Sequence, residues 1–113
     1  MTSVRTQVLL WTAQRASAAA LAVCVLVHLV TVIYAVRNGL SAAEILGRTR
    51  GSAGWAAFYF VFVAAIAVHA PIGLRSVLAE TFDWRGRGLD ITIAVIGLAL
   101  ALWGFRAIYA VFI

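Results

Sequence analysis

The sequence predicts an all-α membrane protein whose three transmembrane helices pack with partner helices into a bundle. Three observations carry this prediction. The 113-residue chain is 65% apolar and 12% charged, with a mean hydropathy of +1.03, whereas a soluble domain is about half apolar and roughly a quarter charged. Three apolar runs each reach the roughly 20 residues needed to cross a bilayer. All nine basic residues are arginines, and most stand at the ends of those runs, at head-group level. The same numbers exclude disorder, which needs few apolar residues and much charge. With this placement the net charge of +5 reads as membrane anchoring, not nucleic-acid binding.

Taken in order, the first run extends from about Ala16 to Val36. A cleaved signal peptide is its competing reading, but the apolar stretch beyond Arg15 carries on through His28 and offers no short removable core. The single cysteine, Cys24, excludes a disulfide framework and reads as a small helix-packing residue. In the connection that follows, Asn38-Gly39 marks a turn. Ser41 and Glu44 stand at capping-box spacing, predicting a short interfacial helix over about 42–46. The second run covers Trp55 to Leu78. Residues 79–90 carry Glu80, Asp83, Arg85, Arg87 and Asp90 and read as a wet loop. The third run covers Ile91 to Ile113. At these run lengths only helices satisfy their own backbone in lipid, and residues 1–113 form one anchor domain. Arg5, Arg15, Arg75, Arg85 and Arg87 lie on one side, against Arg37, Arg48 and Arg50 on the other. By the positive-inside rule this places the N-terminus in the cytoplasm, with Arg106 in the outer half and its side chain snorkelling outward.

The chemistry reduces to two histidines. An imidazole inside a transmembrane helix is costly unless paired, so it is a functional hypothesis by default. His28 and His69, each alone on an apolar helix, suit axial ligation of haem: neutral imidazole binds iron through Nε2 while Nδ1–H is held by a polar neighbour. The bland alternative is a hydrogen bond to a neighbouring helix, or a proton path. Around His69 the sequence reads VHAPIGLRSVLAE. Gly73 lies beneath His69 on the same face, where a missing side chain leaves room for a flat macrocycle. Pro71 loosens the helix. Arg75 sits about 9 Å nearer the cytoplasm by helical rise, the depth at which haem propionates seek cations. Glu80 returns to the His69 face eleven residues on.

These residues resemble the cytochrome b membrane anchor subunits of succinate dehydrogenase and fumarate reductase. His69, Gly73, Leu74, Arg75 and Glu80 match the family's second-helix pattern H-x-x-x-G-[IL]-R followed by an acid. Arg15 and Ser17 match two positions of its H-R-x-S-G motif ahead of the first helix, with Gln14 and Ala18 standing in place of that motif's histidine and glycine. The resemblance implies a subunit without catalysis of its own in a multi-pass bacterial cytoplasmic membrane complex. It would dock a flavoprotein subunit and an iron-sulfur subunit, and pass electrons between the iron-sulfur clusters and a membrane quinone. It implies haem b on His69, quinone at Arg15 and Ser17, and a second anchor chain or a second copy to complete the haem site.

Counted from the cytoplasmic ends of the runs, His28 lies very roughly 5 to 10 Å deeper than His69. That favours separate roles, with His28 ligating a second haem; one haem bridging both histidines is the alternative. Two other functions fit the same helices: a small b-type cytochrome serving another flavin dehydrogenase, and a haem-free scaffold in which the histidines are polar glue.

Overall fold

In the computed structural model, which describes residues 3–113, most of the described residues are helical. Among the described residues there are four helices: α1 (Val4–Arg37), α2 (Ala42–Thr49), α3 (Ala53–Phe82) and α4 (Arg87–Phe112). The first, third and fourth are long and apolar enough to cross a membrane, and no strand occurs among the described residues.

Helix and membrane span are not the same length. α1 begins at Val4, well before the apolar run, because Ser3 caps it by accepting a hydrogen bond from the Thr6 amide. Its 34 residues amount to about 51 Å of helix, against a hydrocarbon core of about 30 Å, so its first turns project beyond the lipid. α3 likewise runs past the end of its apolar run to Phe82, where Asp83 adopts a left-handed conformation, φ 50°, and closes it. Between α1 and α3 the expected turn forms. Asn38 caps α1, Gly39 takes a φ of 61° that costs glycine little, and the Ser41–Glu44 capping box starts α2. The short helix continues to Thr49, beyond the expected 42–46.

α3 is the middle helix, packed against α1 on one side and α4 on the other. α2 closes the far end: Thr49 Oγ1 donates to the Val111 carbonyl at 3.3 Å and the Gly51 amide to the Phe112 carbonyl at 3.2 Å. Glycines set the closeness of α3 and α4. A Cβ at Gly104 would meet Val63 Cγ1 at 2.5 Å, and one at Gly97 would meet Pro71 Cγ at 3.1 Å. Pro71 is thus buried in a notch of α4. Among the described residues the buried apolar set is small, namely Cys24, Ala65, Pro71, Leu89, Ile93 and Phe112. Most large apolar side chains face outward, as a helical layer surrounded by lipid and partner helices requires.

Candidate functional site

Two polar levels interrupt the apolar bundle, each containing one histidine. The first lies where α1 leaves its projecting segment. Gln14 and Ser17 share a face of α1 by their spacing of three, and His69 and Gly73 share a face of α3 by their spacing of four; these faces meet. Ser17 is buried, 7% exposed. Its Oγ donates to the Gln14 carbonyl at 3.1 Å and stands 3.5 Å from Nδ1 of half-buried His69.

The space beside Gly73 is taken by Gln14, whose Nε2 lies 3.1 Å from where a Cβ on Gly73 would be. The sequence reading assigns that gap to a macrocycle; here the amide one turn before Ser17 fills it. The Gln14 Oε1 is buried with no hydrogen-bond partner among the described residues, although a buried acceptor of this kind normally has one.

Charges flank this level. The Arg15 guanidinium lies 5.1 Å from the Trp11 ring centroid, a cation–π distance, and both side chains are exposed. Arg75 gives Nε and Nη2 to Asp90 Oδ1 at 3.1 and 2.8 Å. Asp90 sits in the first turn of α4, where a carboxylate also complements the helix dipole. With side chains 46% and 58% exposed the pair contributes less than about 1 kcal/mol, but it ties α3 to α4. Glu80 is exposed on the last turns of α3. Pairing of Arg75 with Asp90 was not evident from sequence, because the two are brought together only when α4 folds back along α3.

The second level holds His28. Its Nδ1 is 2.9 Å from the Tyr59 hydroxyl, and its ring packs edge-on against Tyr59 and Phe62 with centroids 5.6 Å away. Tyr59 is the residue that sequence reasoning passed over, being one aromatic among many. Its signal was the spacing of Trp55, Tyr59 and Phe62, which stacks them on one face. Beside His28 a cavity of about 620 Å³ opens between α1, α2 and α3. Its walls are mostly apolar, with Thr31, Arg48, Thr49 and Trp55 among the lining residues. The volume falls in the usual range for small-molecule sites, about 300–1,000 Å³.

Tyr59 and His69 are ten residues apart on α3, so the two histidine levels are separated by about 15 Å of helical rise. That exceeds the 5 to 10 Å counted from sequence. α3 stays helical to Phe82, and His69 stands level with Ser17, close to the Arg15 end of the apolar run, so the count from Leu78 placed it too deep. One iron cannot take a nitrogen from each level. No cluster of three or more His, Cys, Asp or Glu occurs among the described residues. Each histidine stands alone as a possible ligand, with His69 Nδ1 turned to the Ser17 hydroxyl and His28 Nδ1 to the Tyr59 hydroxyl.

The family model described as succinate dehydrogenase/fumarate reductase transmembrane subunit matches residues 1–111 of the chain. No curated protein and no solved structure matches it.

Proposed function

We infer the function from one fact: the chain belongs to the succinate dehydrogenase/fumarate reductase transmembrane subunit family. It is a multi-pass membrane anchor of a complex of that kind. In our reading it holds a flavoprotein subunit and an iron-sulfur subunit on the cytoplasmic face of a bacterial inner membrane, with its own N-terminus on that face. There, electrons pass between the iron-sulfur subunit and a membrane quinone. The match over nearly the whole chain supports this above an anchor for another flavin dehydrogenase or a haem-free scaffold.

We assign haem b to His69, with Nε2 as the ligating atom. Haem supplies a one-electron carrier within the bilayer. Gly73 would give the smallest possible surface on the same helix face, where the neighbour now present is the far end of the flexible Gln14 side chain. Arg75 keeps Nη1 for a propionate while Asp90 holds the rest of its guanidinium. At the quinone end Arg15 supplies the cation, and Ser17 lies behind it against His69. A further ligand for such a haem would come from another anchor chain or a second copy. The cavity beside His28 favours a second haem there; in the tautomer that leaves Nε2 for iron, Tyr59 would accept from Nδ1–H.

The test is a reduced-minus-oxidised optical spectrum of the purified complex. His69→Ala is expected to abolish or strongly change the low-spin b-type signal while the chain still inserts and its soluble partners still copurify. A variant with the parental spectrum at full haem content overturns the assignment.

A further inference from the structure

Ser17 has one proton and two lone pairs. The proton is directed at the Gln14 carbonyl, 3.1 Å away within the same helix. With that bond made, the hydroxyl offers a lone pair toward His69 Nδ1, 3.5 Å off. Facing a lone pair, Nδ1 is favourable only when it carries the hydrogen. In a neutral imidazole the other nitrogen is then bare.

We propose that Ser17 is a positioning residue for His69: its hydroxyl, locked as an acceptor by the Gln14 carbonyl, holds His69 in the Nδ1–H tautomer and presents Nε2 as the basic nitrogen. The inference rests on the haem assignment to His69 and adds a role within this chain that the ligand alone does not have. His28 has no such lock. The Tyr59 hydroxyl at 2.9 Å can donate to Nδ1 or accept from it, so either tautomer satisfies the pair. The same geometry separates Ser17 from Arg15. Ser17 is 7% exposed with its proton engaged, and it acts on the site through the imidazole, whereas exposed Arg15 is free to meet a quinone.

An acceptor on Nδ1–H makes imidazole a stronger donor to iron, which favours the ferric state and lowers the midpoint potential. In the assembled complex, Ser17→Ala is expected to retain haem while the midpoint potential of the His69-dependent signal rises and its low-spin EPR g-values shift. Ser17→Thr, which keeps the hydroxyl, restores both. Ser17→Cys, with a weakly accepting sulfur of similar size, rises in the same direction and serves where the alanine variant assembles poorly. Potentials and g-values identical to the parent in Ser17→Ala or Ser17→Cys, at full haem content, overturn the positioning role. Retention of the signal in His69→Ala instead overturns the haem assignment beneath it, so the two failures are distinct.

Discussion

Gly104 offers the sharpest mechanical test of how α3 is held. A Cβ built there meets Val63 Cγ1 at 2.5 Å, Cγ2 at 3.1 Å and Cβ at 3.3 Å. Ordinary contact begins near 3.5 Å, so Gly104→Ala requires a displacement of about 1 Å at the tightest point. Valine has little freedom to yield. Its χ1 is almost confined to one rotamer in a helix, and rotation leaves its own Cβ too near. The helices must separate, and overpacking of this size costs about 1–3 kcal/mol, a factor of about 5 to 150 in the folding equilibrium. The assay is reversible unfolding in mixed micelles, followed by near-ultraviolet circular dichroism. The expected result is a loss within that range for Gly104→Ala, largely recovered when Val63→Ala is added. That recovery is a coupling energy of the kind a double-mutant cycle isolates. A Gly104→Ala protein within about 0.5 kcal/mol of the parent, or strict additivity of the two substitutions, refutes the close-packing argument.

The remaining expectations concern electron flow and haem content. Arg15→Leu removes a charged donor worth about 1.5–3 kcal/mol, so quinone reduction should fall roughly tenfold to a hundredfold while electron transfer from succinate to a soluble dye is retained. Equal loss in both assays indicates failed assembly, and no loss removes Arg15 from the quinone site. His28→Ala should remove one haem per complex and leave the His69-dependent signal, as measured by pyridine haemochrome content against protein. Unchanged haem content leaves the hydrogen bond to Tyr59 as the function of His28.

Much of this architecture is legible in the sequence because the bilayer imposes a simple rule. Apolar length gives the three spans, and local chemistry gives the Asn38-Gly39 turn and the Ser41–Glu44 box. What hydropathy does not read is helix outside lipid. Residues 4–15 are too polar to score as span, yet they continue the helix from the Ser3 cap. The site is legible as residue types but not as pairs. Ser17 and His69 are both visible as polar residues in apolar runs, but 52 positions separate them, and only the packing of α1 on α3 joins them. Tyr59 was hidden among ordinary aromatics until His28 was placed beside it. Gln14 was visible only as a departure from the motif ahead of the first helix, and its side chain turns out to lie against Gly73, the glycine of the other motif, on α3.

In our proposal the chain is one half of a haem site, and the same packing is consistent with that. α1, α3 and α4 form a layer with α3 in the middle, and large residues such as Leu26, Val30, Leu102 and Trp103 face outward. A shallow groove beside Ser17 is lined by Ala13, Ala16, Ala20, Ala64, Ala65 and Val68, among others, and small residues of this kind let another helix come close. Within the chain one histidine cannot reach the level of the other, so in our proposal each iron takes its second ligand from outside. The identity of that ligand then follows from symmetry. If a second copy supplies it, a two-fold axis must pass through the iron, and the His69-dependent haem is shared by two chains. If a different anchor supplies it, each copy of this chain carries its own haem. The ratio of the His69-dependent haem to chain in the purified complex, read as the haem lost in His69→Ala, thus distinguishes a paired copy from a distinct partner without any knowledge of the partner's sequence.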